Sequence, residues 1–332
     1  MQIENRKLSE LCSLKTGGVA KVIVVKNKED VVSCINYIKE NSLKFFVLGE
    51  GTNTFFGNHL SEDFVVIKME IKGIDIIDEN DFVYLNLGAG EKFDEVINFV
   101  TERDWWGIEN LSFVPGTAGA FPVQNVGAYG VEIKDVLVEV EVYDVEDERF
   151  LILKNEECDF SYRNSLFKKS KRYIICGIKI KLSKKRNPIL IYKPINLLDE
   201  KNVSVKEVRD LIIKIRKEKL PDYKITPNAG SFFKNVFITE EKLNELKIKY
   251  PNIVSVNENG MIKMPTAWLI ENVAEMKGKR EGDVGTYETQ PLVMVNYGTD
   301  NGDEVINFSK KIEQIVFDKT GIVLEREVNF VS

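Results

Sequence analysis

The spacing of apolar positions changes along the chain, and each change of period marks an element. Residues 20–26 (AKVIVVK) form a short β-branched run that predicts a strand. Val31, Val32, Ile35 and Ile38 then recur at helical spacing across 30–41, which predicts an amphipathic helix. Phe45–Leu48 predicts a strand that runs into Gly49-Glu50-Gly51-Thr52-Asn53, and Phe64–Met69 predicts another. A strand–helix–strand opening of this kind predicts a small α/β layer. From Ile74 to Gly90, and again from Val136 to Leu182, β-branched alternation dominates. In VLVEVEVYDV the alternation puts Val136, Val138, Val140 and Val142 on one face of a strand.

The pattern shifts after Leu182. Val208, Leu211, Ile212 and Ile215 make a helical stripe over 206–219. A strand is expected at 230–233, helices at 239–249 and 265–275, and a strand at 292–296. A final helix carries Val305, Ile306, Ile312, Ile315 and Val316. The chain closes on a predicted strand, Ile322–Val331. Leu324, Arg326, Val328 and Phe330 share one face of it; Val323, Glu325, Glu327, Asn329 and Val331 share the other. The change of pattern puts a domain boundary near residue 205.

Composition narrows the function classes. A net charge of −6 over 332 residues argues against a general nucleic-acid binder, which needs a concentrated basic surface. The densest basic run, Lys168 to Arg172, lies between apolar segments and suits a solvated turn. No apolar stretch approaches the ~18 residues of a membrane span, and the first residues show no apolar run of a signal peptide. The four cysteines are scattered without a CxxC pair. That pattern suits reduced thiols in a cytosolic protein better than a disulfide framework or a metal site. His59, the single histidine, has no GxSxG beside it, which disfavours a Ser-His-Asp hydrolase.

Glycine is informative because it permits sharp turns and close backbone approach. It clusters at Gly49-x-Gly51, at Gly88-x-Gly90, and through Pro115-Gly116-Thr117-Ala118-Gly119 to Gly127-Ala128-Tyr129-Gly130. None of these is GxGxxG or GxxxxGK[ST], so a nicotinamide Rossmann domain and a P-loop are disfavoured. Each cluster alone suits a turn; three together point to a nucleotide cofactor cradled by backbone N–H groups. Asn228 to Asn235 (NAGSFFKN) either projects Ser231 into a cleft or is a capped hairpin. Tyr162-Arg163-Asn164 either grips a carboxylate or makes a surface ion pair.

Seven stretches in order, LGEGTN (48–53), VPGTAGAFPVQNVGAYG (114–130), YRNSLFK (162–168), KLPD (219–222), NAGSFFKN (228–235), AWLIENV (267–273) and LEREVNF (324–330), together resemble the UDP-N-acetylenolpyruvoylglucosamine reductase family. The resemblance runs from about Leu11 to Phe330. It implies an α+β fold: a two-part FAD-binding region of the vanillyl-alcohol-oxidase type over 1–205, split near 70, then an α/β substrate-binding domain over 206–318. Residues 319–332 would form a terminal strand returning to the active site.

The same resemblance implies FAD along Gly49, Glu50, Gly51, Thr52 and Asn53, and along Pro115, Gly116, Thr117, Gly119, Gln124, Asn125, Gly127, Ala128 and Tyr129. Thr52 and Asn53 stand where some members of the wider superfamily carry a tethering histidine, so the flavin is expected to be noncovalent. Arg163, Ser231 and Glu327 are the implied catalytic group. Tyr192, Lys219, Asn235 and Gln290 are implied to bind substrate, with Tyr192 on the loop of the family's longer subtype. Asn329 and Tyr287 depart from the arginine and histidine common there.

The implied reaction reduces the enolpyruvyl group of UDP-N-acetylglucosamine enolpyruvate to UDP-N-acetylmuramate, with NADPH as reductant. Ser231 would give the proton to the α carbon. A cytoplasmic monomer is expected, without metal, nucleic acid or membrane. Two other functions are compatible with the residues: a flavin oxidase of a sugar or alcohol, and a non-catalytic nucleotide-sugar binder.

Overall fold

The computed structural model describes every residue of the chain except Asn259. Two compact units interleave in sequence: Met1–Arg6, Ala20–Glu50 and Glu62–Glu218 make the first; Lys7–Val19, Gly51–Ser61 and Lys219–Ser332 make the second.

The first unit holds two larger sheets and the small pair Gly127–Ala128 with Val131–Glu132. Val19–Val25 and Lys44–Leu48 both run parallel to Phe64–Met69 between them. Val22, Ile23, Val24 and Val25 are all buried rather than alternating, as a strand covered on both faces requires. The helix Lys28–Glu40 starts where the Asn27 side chain accepts from Asp30 N at 2.8 Å, a side-chain N-cap. Its buried stripe is Val31, Cys34, Ile35 and Ile38, so Cys34 takes the core place expected of Val32.

The second sheet is antiparallel, in the order Arg149–Lys154, Leu137–Asp144, Tyr173–Ser183, Phe82–Gly88, Ile74–Asp78. A register shift between Leu137 and Glu139 breaks the expected alternation. Leu137, Val140 and Val142 are buried while Val138 is only half-buried. The extra residue of a bulge turns one side chain to the other face, which a strict period of two cannot show. One core unites both sheets with the helix Phe93–Thr101.

The helix Val205–Lys219 forms where expected. However, its buried face (Val205, Val208, Ile212, Ile215) packs with Trp106, Ile195 and Val203 of the first unit. The break between units therefore falls between Glu218 and Lys219 instead of near residue 205.

The second unit contains a four-stranded sheet, Asn228–Ser231, Val293–Asn296, Val284–Thr286 and Arg280–Glu281, and a three-stranded one, Val236–Ile238, Met261–Met264 and Val256–Glu258. The helix Gly302–Thr320 lays Val305, Ile306, Ile312 and Val316 into a core with Phe232, Phe233, Met264 and Leu269. Leu14 and Phe55, from the two early segments, join that core. Thr239 caps the helix Glu240–Lys249. The expected helix at 265–275 is a short α-turn, Thr266–Trp268, followed by a π-turn, Leu269–Val273.

The expected ten-residue terminal strand is not continuous. Only Asn329–Val331 is strand, parallel to Thr54–Phe56, with a single bridge from Arg326 to Phe233 before it. Val331 is buried and Phe330 half-buried, so the two-residue alternation stops there.

Candidate active site

In the first unit the glycine stretches come together. A Cβ on Gly49 would lie 2.6 Å from Thr117 Oγ1, and one on Gly119 2.6 Å from the Ala89 Cβ. Gly116 N donates to Glu50 Oε2 at 2.8 Å, Ala118 N to Glu91 O at 2.8 Å and Gly119 N to Ala89 O at 2.8 Å. Glu50 thus ties one loop to the other. Lys68, on the neighbouring strand, donates its ammonium to Gly49 O; burial holds its pKa below the usual value.

Gly88 and Gly90 play a plainer part. Their missing side chains let the backbone of residues 70–72 pass, at 2.5 and 2.7 Å from where a Cβ would stand. Asn125 (φ +47°) turns its amide inward, giving Nδ2 to Glu132 Oε2 at 2.9 Å and accepting from Lys134 N at 3.3 Å. Its side chain shapes the loop.

Arg163 also has a left-handed backbone (φ +52°) and donates from Nη2 to Gly127 O at 2.9 Å. Its guanidinium is packed 5.5 Å from the Tyr162 ring centre. Two residues on, Ser165 caps the short helix Leu166–Lys169 and donates to Val123 O at 2.7 Å. The YRNS stretch is therefore fastened to the glycine loop at two points. Tyr192 stands at the loop's far end, its ring 3.3 Å from where a Gly130 Cβ would be. Asn110 links the same two segments by donating to Tyr129 O and Ile189 O, both at 2.8 Å.

Gly51, Thr52 and Asn53 belong to the second unit. Gly51 (φ +77°) is compulsory: a Cβ there would sit 2.0 Å from Leu11 O. Asn53 O accepts from Asn329 N at 3.0 Å and from Asn329 Nδ2 at 3.2 Å, and Asn53 Nδ2 reaches Glu327 O at 3.4 Å. Asn329, a departure from the family pattern, thus secures the terminal segment. Glu327 N donates to Phe232 O at 2.9 Å, which sets Glu327 beside the strand end that carries Ser231. Ser231 is exposed, and the space around Gly230 (φ +71°) is open for 4 Å.

Glu325 is tied instead to the ammonium of Lys234. Lys219 O accepts from Thr289 Oγ1 at 3.1 Å, which brings Lys219 next to Gln290. Asn235 Oδ1 accepts from Thr266 N at 3.1 Å. A hollow of ≈ 740 Å³ in this unit, lined in part by Lys15, Ile225, Tyr297 and Asp300, contains none of these residues.

Arg216 was not legible as a site residue. It donates from Nε to Phe113 O at 3.1 Å, and its charge faces the Tyr129 phenol. Burial raises the Tyr129 pKa, and Arg216 opposes that rise. Its sequence signal is only its spacing, seven residues after Arg209 on the same helix.

Other expectations find plain partners. His59 is exposed, beside Asn58 at 3.4 Å. The basic run is met by acids: Lys169 pairs with Asp159, and Arg172 with Asp144, Glu146 and Asp147. All four cysteines are buried free thiols, and burial pushes Cys34, Cys158 and Cys176 up to about 12. Among the described residues no helix is long and apolar enough to cross a membrane.

A family model described as an FAD binding domain matches residues 19–153, and one described as the UDP-N-acetylenolpyruvoylglucosamine reductase C-terminal domain matches 220–331. The class is thus a flavoprotein with an FAD-binding domain and a separate C-terminal domain.

UDP-N-acetylenolpyruvoylglucosamine reductase of Shewanella sediminis is 37% identical over 318 residues, 94% of this chain and 91% of that protein. The same-named protein of Amoebophilus asiaticus is 38% identical over 334 residues, covering 97% and 98%. The crystal structure of the Thermus caldophilus reductase aligns over 100% of both chains with a TM-score of 0.71 at 20% identity, a likeness of fold. The chain belongs to the UDP-N-acetylenolpyruvoylglucosamine reductase family.

Proposed function

We propose that this chain reduces the enolpyruvyl group of UDP-N-acetylglucosamine enolpyruvate to UDP-N-acetylmuramate, with FAD as cofactor and NADPH as reductant, in peptidoglycan precursor synthesis. The observation that carries the reading is the packing of Gly49 against Thr117 in the long glycine loop, to which Arg163 is fastened at Gly127, in a chain of this family.

The first unit suits FAD. Its longer loop is small and uncharged at Gly116, Thr117, Ala118 and Gly119, and the Lys68 ammonium on Gly49 O is a source of positive charge for a diphosphate. Residues 49–53 and 115–129 are proposed to hold the cofactor noncovalently. Glu50 and Asn125 contribute by fixing loop backbone, the others by close approach. Bound FAD supplies hydride exchange; the protein supplies binding, orientation and electrostatics.

Reduction at the β carbon places charge on the substrate's α carbon and carboxylate. Arg163 is proposed to meet that charge, its orientation set by Gly127 O. Glu327 polarises the carboxylate when protonated or bridged through a cation or water. Ser231, exposed beside open space, delivers the proton to the α carbon. Tyr192 and Lys219 grip the diphosphate; Asn235 and Gln290 bind the nucleotide sugar. Asn235 spends its Oδ1 on Thr266 N, which leaves Nδ2 as its donor to ligand.

With no nicotinamide fingerprint in the sequence, NADPH and the sugar nucleotide use one site in turn. Function as a cytoplasmic monomer is part of this reading, as is division into a cofactor region and a substrate domain, the latter taking up the chain after Glu218. The test is anaerobic. NADPH should bleach the flavin absorbance of the purified protein, and the enolpyruvyl nucleotide should restore it with formation of UDP-N-acetylmuramate. Flavin that reoxidises only in oxygen, with an alcohol as its reductant, would replace this reading by the oxidase.

A further inference from the structure

Phe113 opens the long glycine loop in a conformation that its side chain disfavours, with φ at +61°. A bulky residue in that region is strained and persists only where its surroundings hold it. Both backbone groups of Phe113 are held by charge. Its N–H donates to Asp94 Oδ1 at 2.7 Å, and its C=O accepts from Arg216 Nε at 3.1 Å. Asp94 is gripped in turn by Arg209, from Nη1 at 2.7 Å and from Nη2 at 3.3 Å. Arg209 is only 7% exposed.

The two arginines lie seven residues apart on the helix Val205–Lys219, two turns along one face. Arg216 also faces the Tyr129 phenol at the other end of the loop. Phe93, just before Asp94, donates its N–H to Gly116 O at 2.9 Å and stacks on Phe121 at 4.0 Å. The start, middle and end of the loop are therefore held by groups from two helices.

We infer that Asp94 and Arg209 are positioning residues for cofactor binding: through the Phe113 N–H they set the loop that follows it, and Arg216 holds the next peptide group, on the other side of Phe113. The inference rests on the reading that residues 115–129 hold FAD. An uncompensated Asp94 or a slack Phe113 lets the loop relax when empty, so binding has to reorder it. Removing Asp94 also leaves the buried Arg209 guanidinium without its counter-charge.

The experiment measures FAD affinity of apoprotein, by flavin fluorescence, for wild type, Arg209→Met, Asp94→Leu, Arg209→Lys and Gly127→Val. Hydrogen exchange of the apoprotein over residues 113–121 accompanies it. Arg209→Met and Asp94→Leu should weaken FAD binding by about 10- to 100-fold and speed exchange in that segment. The rate of flavin reduction by NADPH at saturating FAD should stay within about twofold, because bound cofactor restores the loop. Arg209→Lys keeps the charge and should recover part of the affinity.

Wild-type FAD affinity in Arg209→Met and Asp94→Leu, with Gly127→Val impaired, would overturn the positioning role and leave the loop reading standing. Full affinity in Gly127→Val would instead remove the loop reading. If the two larger changes fail to fold, Arg209→Lys decides: unchanged FAD affinity and exchange would sink the proposal.

Discussion

Ser231 has the clearest single-residue test because the two half-reactions ask different things of it. Reduction of bound flavin by NADPH needs no proton delivered to a carbon of the nucleotide substrate. Ser231→Ala should therefore leave that step near wild type and slow reoxidation by the enolpyruvyl substrate about 10²–10⁴-fold, as measured by anaerobic stopped-flow absorbance. Reoxidation at wild-type speed would return Ser231 to a hairpin residue. The two terminal glutamates allow a second comparison. Glu325 is engaged by Lys234, whereas the Glu327 N–H bonds Phe232 O beside Ser231. Glu327→Gln should slow substrate reduction by about 10²-fold or more, and Glu325→Gln should change it little; the reverse order would assign the active carboxylate to Glu325. Residue types in the resembling motifs made these positions legible. What stayed hidden was the work done by Glu50, Asn125 and Asn329, whose polar side chains hold other backbone. A donor or acceptor in sequence does not say whether its partner is the protein or a ligand.

Elements were legible wherever one face is buried continuously. The helices at 28–40, 205–219 and 302–320 follow their apolar stripes, and the central strands of the first unit follow their β-branched runs. Misreadings fall where backbone irregularity resets the period: the bulge at Leu137, the π-turn at Leu269–Val273, and the terminal segment, which pairs only at its end. The turn after Leu137–Asp144 shows how a polar group can secure an element that alternation alone describes. Asp144 Oδ1 accepts from Glu146 N at 3.0 Å and Asp147 N at 3.2 Å, and its carboxylate takes two Arg172 nitrogens. These contacts, Arg172 foremost, hold its pKa below the ordinary 3.8. A carboxylate depressed in the folded state stabilises the fold fully above its unfolded value and loses that contribution as pH falls through the lower folded value. Asp144→Asn should lower the melting temperature at pH 7, and its deficit should shrink on acidification below about pH 4. A deficit that stays constant to pH 2 would mean that the charge of Asp144 contributes nothing to the hairpin.

At the scale of the molecule, interleaving was the feature that periodicity could not reveal. Residues 7–19 and 51–61 carry too few apolar positions to declare a core of their own, yet Leu14 and Phe55 are wholly buried in the second unit's core. Similarly, the stripe on 205–219 shows that this helix is covered without showing by what, and its partners Trp106 and Ile195 lie in the first unit. The boundary therefore falls at the end of that helix, with Lys219 beginning the second unit and Tyr192 in the first. The resemblance assigns both residues to the substrate diphosphate, and this assignment can be tested apart from the chemistry. Lys219→Ala removes a compact cation, and Tyr192→Phe removes one hydroxyl from a half-exposed ring. Each should raise the KM for the full enolpyruvyl nucleotide, by about 10- to 100-fold for Lys219→Ala and less for Tyr192→Phe. Flavin reduction at saturating NADPH should be nearly unchanged. A substrate fragment without the nucleotide has no diphosphate to lose, so its KM should move little in either variant. Equal losses for fragment and full substrate would show that the changes disturb the fold or the flavin, and would release both residues from the diphosphate role.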